Sequence, residues 1–271
     1  MRDLRHFIGR VLRKLSLYFL ESPKEHLWFN GNFTSWSEAS KECDTYASPN
    51  ILEAVKNSLL KVKSGEAVYE RDSVLFDKIE YSLPALIGLL YATASEKGRL
   101  NVLDFGGSLG SSYFQNRGFL SCIKDLKWSI VEQKHFVEEG LRNFKDGILN
   151  FYYSIEECME EVRPNVLLLS SVLPYLPDPY ATLHKLLSHD FKYVIVDRTP
   201  FLLNGKPDRI LIETVPPEIY EAEYPIWFFN RERFLEYMNF AYELKGEFFA
   251  LDPMTLKGED TAYKAFIFTR K

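Results

Sequence analysis

The chain has 271 residues, of which 46% are hydrophobic and 15% aromatic, enough to fill the core of one large domain with an extension. Its net charge of −5 argues against a general nucleic-acid-binding surface, and no apolar run reaches the ~20 residues of a spanning helix. Cys43, Cys122 and Cys158 are scattered and the five histidines form no ligand pattern, so the expectation is no metal site, no disulfide framework and a reducing, cytoplasmic setting.

Residues 1–20 carry Leu4, Phe7, Ile8, Val11, Leu12, Leu15, Tyr18 and Phe19 at helical spacing, while Arg2, Arg5, Arg10, Arg13 and Lys14 face a single acid, Asp3. Such a basic amphipathic helix packs on its own domain or a second subunit, or lies peripherally on an anionic membrane surface; packing against protein is the commoner use. It is not a signal peptide, because charge interrupts the apolar residues and no small-residue cleavage site follows. Trp28, Phe29, Phe33, Trp36 and Tyr46 form an aromatic-rich stretch that serves as cap core or as a lid. Ser35 with Glu38 has capping-box spacing and predicts a helix from Trp36. Ser48-Pro49 opens a second helix, Asn50 to Lys63. The polar cluster Tyr69-Glu70-Arg71-Asp72 then precedes a helix read from Val74 to Lys97. It is a solvated face or helix cap unless Tyr69 or Arg71 reaches a ligand.

The segment from Asn101 to Phe114, NVLDFGGSLGSSYF, is a strand closed by Asp104, a glycine turn and a helix start. Gly106, Gly107 and Gly110 permit tight, partly left-handed backbone, and the turn brings N–H groups and a helix N-terminus to one point. A second strand, Trp128 to Val131, ends in Glu132, near the spacing of about 20 residues at which a nucleotide-binding unit places its ribose acid. Gly106-Gly107-Ser108-Leu109-Gly110 also fits G-x-S-x-G, a hydrolase nucleophile elbow at Ser108. That alternative needs a late histidine, and none follows His189. A short-chain dehydratase or reductase needs Tyr-x-x-x-Lys, which is absent.

Further strands follow at Ile148–Tyr152, Asn165–Ser170 and Lys192–Val196, with helices at His135–Phe144, Ala181–Ser188 and Arg231–Phe240 between and after them. Ser154 follows the third strand, where its hydroxyl can donate or accept beside a ligand. Glu156 and Glu157 are read as caps of the next helix. Ser170 and Ser171 leave room at the end of the fourth strand. The fifth ends in Asp197-Arg198, where Arg198 has the chemistry to clamp an acceptor carboxylate or phosphate, or simply pairs with an acid. Pro216-Pro217 and Tyr224 to Phe229 belong to a long insertion and suggest an aromatic wall. Tyr242–Leu251 and Ala262–Arg270 read as an antiparallel pair at the sheet edge. His135 and Asp197 are the candidates for a catalytic base, with Arg198 as a further candidate.

The acid before the glycine turn, D-x-G-x-x-x-G, resembles motif I of the class I S-adenosylmethionine (SAM) methyltransferases, with Ser108 where a glycine is usual. The phrases YERDSVLFDKIEYSLP (69–84), NVLDFGGSLGSSYFQNR (101–117), IVEQKHFV (130–137), YYSIEEC (152–158), LLLSSVLPYLPDPY (167–180), VIVDRTPF (194–201) and YPIWFF (224–229) together resemble a family of SAM-dependent methyltransferases associated with bacterial surface-polysaccharide functions. The resemblance implies an α/β fold, a Rossmann-like, mostly parallel seven-stranded sheet with helices on both faces and an antiparallel C-terminal edge. An N-terminal helical cap over 1–98 would precede a SAM-binding domain over 99–271. It implies SAM as cofactor and a small-molecule or saccharide acceptor. Cofactor contacts are implied at Asp104, Gly106, Gly107, Gly110 and Glu132, with Tyr69, Arg71, Ser154 and Ser170 as further members. A non-catalytic SAM-fold binding protein is the other reading of the same resemblance.

Overall fold

A computed structural model describes residues 28–43, 49–215, 222–251 and 256–271. The amphipathic segment 1–20, His6, His26, Tyr46, Ser48 and Pro216-Pro217 lie outside the described residues.

In chain order the first elements are β1 (Phe29–Phe33), α1 (Trp36–Ala39), α2 (Pro49–Ser64), β2 (Tyr69–Arg71), β3 (Val74–Phe76) and α3 (Leu83–Ser95). The centre comprises β4 (Arg99–Phe105), α4 (Ser111–Leu120), β5 (Asp125–Val131), α5 (Lys134–Asn143), β6 (Leu149–Tyr152), α6 (Ile155–Glu161), β7 (Val166–Ser170) and α7 (Pro179–Leu187). The chain finishes with β8 (Tyr193–Leu202), β9 (Arg209–Val215), β10 (Ala222–Asn230), α8 (Arg231–Asn239), β11 (Tyr242–Phe249) and β12 (Thr261–Arg270).

Within the main sheet, β6-β5-β4-β7-β8-β12-β11 lie side by side, the first five parallel and the last two antiparallel to their neighbours. This is the Rossmann-like, mostly parallel sheet with an antiparallel edge that the resemblance implies. The order reverses at β4, so the crevice of the sheet opens at the carboxyl end of that strand. The central strands are buried on both faces, and alternate residues feed two cores. Val102, Val166, Leu168 and Ile195 pack on one side with Leu59, Leu89, Phe114 and Phe136 of the helices. Leu103, Leu167, Leu169, Val194 and Val196 pack on the other with Ile155, Leu183 and Phe234. That period of two, unbroken by a polar face, is what a strand covered by helices on both sides requires.

Three departures from the sequence reading bear on the site. The spacing predicts a helix from Val74 to Lys97, but Val74–Phe76 is a strand and the helix begins only at Leu83. Asp72 and Ser73 both take positive φ (51° and 69°), the geometry of a two-residue hairpin turn, and Pro84 in the first turn of α3 sets the later start. The N-terminal part therefore contributes strands as well as helices. The fifth core strand does not stop at Val196 but runs on to Leu202, because β12 continues the ladder past it, Lys264 facing Thr199 and Tyr263 facing Pro200. Finally, the insertion is folded as sheet. β10 joins the far half of β8 in parallel through Phe229 and Asn230, β9 runs antiparallel to β10, and β1 closes the edge against β9. This shelf is tied to the loop after β7: Tyr175 donates to Glu213 at 2.9 Å and Trp227 Nε1 to the Leu176 carbonyl at 3.0 Å.

Candidate active site

The glycine turn leaves the carboxyl end of β4. Gly106 N–H donates to the Val131 carbonyl at 2.9 Å, which fastens the turn to the end of β5. Gly106 sits at φ 69°, and a Cβ there would stand 2.3 Å from Val172. At Gly107 a Cβ would meet the Asp104 carboxyl carbon at 2.5 Å, so the turn lies directly against that carboxyl. Gly110, at φ 108°, is the N-cap of α4 and has no side chain to satisfy the first N–H groups of the helix.

Asp104 is only 1% exposed. Trp128 Nε1 donates to its Oδ2 at 3.0 Å, and its Oδ1 has no hydrogen-bond partner. Burial, with the Glu132 charge adding to it, pushes the Asp104 carboxyl up to about 7 against the pull of the Trp128 hydrogen bond. Glu132 follows Val131, which pairs with Phe105, so the two acids stand on adjoining strand ends. Burial raises Glu132 to about 6, opposed by hydrogen bonds from the backbone of Gln133 and Ser108. Ser108, at φ 55°, keeps its hydroxyl buried without a hydrogen-bond partner, so among the described residues no histidine is bonded to it as an elbow serine would need.

Across the crevice, Ser170 ends β7 in register with Asp197 of β8. Asp197 is buried and accepts from Ser82 Oγ at 2.6 Å. Arg198 adopts φ 51° and its Nη2 stands 2.6 Å from Asp72 Oδ2, which ties the β2–β3 hairpin to the end of β8. The hairpin is also held on α4, where Gln115 Nε2 donates to the Tyr69 hydroxyl at 2.8 Å.

The structure thus places Gly106, Gly107, Gly110 and Glu132 at the carboxyl ends of β4 and β5, with the Asp104 carboxyl buried behind the turn, and Ser170, Asp197 and Arg198 at the ends of β7 and β8. Tyr69 is buried and engaged with Gln115. Arg71 pairs with Glu80 at 3.3 Å and lies over the Phe76 ring. The Ser154 hydroxyl accepts from Glu157 N–H as the N-cap of α6, and the Glu157 carboxylate accepts from Tyr153 N–H, a local use of both side chains. His135 opens α5 with its ring 4.9 Å from Phe136 and its Nε2 buried without a hydrogen bond. Among the described residues no cluster of His, Cys, Asp and Glu can hold a metal ion.

One acid was not singled out from the sequence. Glu70 is 2% exposed, its Oε2 accepts from Ser73 N–H at 3.2 Å, and the Ser111 hydroxyl at the start of α4 lies against its carboxyl. Its position in a run of four polar residues gave the only signal.

No known family profile matches the chain, and no curated protein matches it. Solved structures do resemble it. The N-terminal domain of EvdMO1, crystallised with S-adenosylhomocysteine (SAH) and D-fucose, is 10% identical over 81% of this chain and 97% of that one, with a TM-score of 0.49. The Burkholderia thailandensis 1,6-didemethyltoxoflavin-N1-methyltransferase is 11% identical over 89% and 93%, with a TM-score of 0.44. Magnesium protoporphyrin IX methyltransferase from Synechocystis PCC 6803 is 9% identical over 84% and 100%, with a TM-score of 0.45.

Proposed function

We propose that this chain is a SAM-dependent methyltransferase acting on a small-molecule or glycan-precursor acceptor. The observation that carries the reading is the glycine turn at the point where the strand order reverses, flanked by Asp104 and Glu132 on adjoining strand ends. The residues fit an adenosyl ligand in chemistry. Gly106 and Gly107 let the turn close directly onto Val172 and Asp104, and the N-terminus of α4 presents N–H groups that Gly110 does not cap. Ser108 Oγ adds a buried polar atom without a partner beside them. Glu132 is the acid for the two ribose hydroxyls, and Asp104 supports the turn from below.

Bound SAM supplies an already activated methyl group, so the protein's task is placement. Ser170 leaves space at the end of β7, and Arg198 offers a cation for a carboxylate or phosphate on the acceptor. Asp197, held by Ser82, orients that end of β8. A hydroxyl acceptor requires a base, for which Asp197 and His135 are the candidates. We assign residues 99–271 to the cofactor-binding domain and 1–98 to an extension that caps it. A saccharide acceptor follows from the phrase-level resemblance to the polysaccharide-associated family.

A crystal soaked with SAH tests the placement: density at the glycine turn with the ribose against Glu132 is expected, and an unaltered turn at saturating ligand contradicts it. Transfer of labelled methyl from SAM to members of a nucleotide-sugar panel tests the acceptor class.

A further inference from the structure

The start of α4 combines two features that belong to opposite ends of one kind of ligand. Gly110 caps the helix without a side chain, so its first N–H groups carry the positive end of the helix dipole. Against the same turn, Glu70 is buried from solvent to 2% exposure, and its Oε1 has no hydrogen-bond partner. A carboxyl oxygen left without a partner in the interior costs free energy unless something donates to it. The groups around Glu70 do not remove that need. Ser111 and the Ser73 N–H serve it in part, Arg198 is a nearby positive charge, and Asp72 adds a negative one. The hairpin that carries Glu70 is pinned at both ends, by Tyr69 to Gln115 and by Asp72 to Arg198, so the carboxyl is held in place.

We propose that Glu70 receives the α-ammonium of the cofactor's amino-acid end, with the cofactor's carboxylate directed to the N-terminus of α4. The inference rests on the methyl-donor reading above, and it makes the β2–β3 hairpin part of the cofactor site. A zwitterion fits such a pair of opposite fields, whereas the adenosine end has no use for either. An ammonium donating to a buried carboxylate is a charge-assisted hydrogen bond, and its loss lowers affinity by about ten- to a hundredfold.

The test is calorimetric binding to the full chain of three ligands: SAH, its des-amino analogue, and methylthioadenosine, which lacks the amino-acid end. Wild-type protein is expected to bind SAH about tenfold or more tightly than the des-amino analogue. Glu70→Gln is expected to lose that preference while leaving methylthioadenosine affinity within about twofold. Equal losses for all three ligands in Glu70→Gln assign Glu70 a purely structural role and overturn the inference, as does a wild-type protein indifferent to the amino group. If wild-type protein binds methylthioadenosine and SAH alike, only this inference fails. If it binds none of the three, the methyl-donor reading fails with it. The comparison of SAH with its des-amino analogue needs no variant, so it holds even where Glu70→Gln folds poorly.

Discussion

Arg198 Nη2 and Asp72 Oδ2 stand 2.6 Å apart, joining a left-handed bend in β8 to the turn of a hairpin 126 residues earlier in the chain. The pair fixes the hairpin over the crevice. Its energetic weight is small because the Asp72 side chain is 48% exposed and solvent screens it.

Asp72→Asn is therefore expected to change global stability by no more than about 1 kcal/mol. Its effect lies in local order. Hydrogen exchange of the amides of residues 69–76 is expected to accelerate well beyond that of β4. Unchanged protection in the hairpin contradicts the role given to the pair.

Gly107 and Gly118 offer a matched comparison. A Cβ at Gly107 would lie 2.5 Å from the Asp104 carboxyl carbon, while one at Gly118 would meet nothing within 4 Å. Gly107→Ala is expected to destabilise by about 1–3 kcal/mol through forced displacement of the turn. Gly118→Ala, within α4, is expected to stabilise by about 0.5–1 kcal/mol through helix propensity. Denaturant titration of both variants checks the contrast.

The buried acids make stability fall as pH rises. Glu70 and Asp104 are each raised to about 7 from 4.5 and 3.8. Between the ordinary carboxyl range and pH 7 the unfolded chain loses these protons while the folded chain keeps them. The unfolded state then binds fewer protons, and the free energy of unfolding declines with pH until it levels above pH 7. The groups facing Glu70 are Ser111, Ser73, Asp72 and Arg198, and those facing Asp104 are Trp128 and Glu132. Asp104→Asn and Glu70→Gln are each expected to flatten the slope and to gain roughly 2–4 kcal/mol relative to wild type at pH 8 over pH 4. Urea melts across that range decide it. A slope unchanged in both variants contradicts the burial assigned to these carboxyls.

Trp128→Phe removes the one hydrogen bond that Asp104 Oδ2 accepts. The expected cost is about 1–3 kcal/mol, smaller at low pH where the carboxyl is protonated. It disappears largely in an Asp104→Ala background, which has no side-chain acceptor, if the two residues act through that bond, and a double-mutant cycle measures this.

The glycine turn, Asp104 and Glu132 were legible because a strand, a turn and a helix start are written in adjacent residues. The alternation of Leu167 and Leu169 against Val166 and Leu168 was legible only as a continuous apolar run, and the structure divides it between two cores. The hairpin escaped because its turn, Asp72-Ser73, holds no glycine, and Val74 to Phe76 reads as readily into a following helix. The shelf escaped because Phe29 pairs with Glu213, a contact no local pattern encodes. Ser154 shows a local signal of another kind: its S-x-x-E spacing is a helix cap, and its hydroxyl accepts from Glu157 N–H at the start of α6. Glu70 became a candidate only once α4 and the hairpin were seen to bury it.

The central claim is that the turn between Asp104 and Gly110 holds an adenosyl ligand with Glu132 on its ribose. Equilibrium titration of SAH into wild-type protein and Glu132→Ala measures this directly. Saturable binding to one site, weakened about tenfold or more by the substitution, is the predicted result. Absence of binding to the wild type, or equal affinity for both proteins, would contradict it.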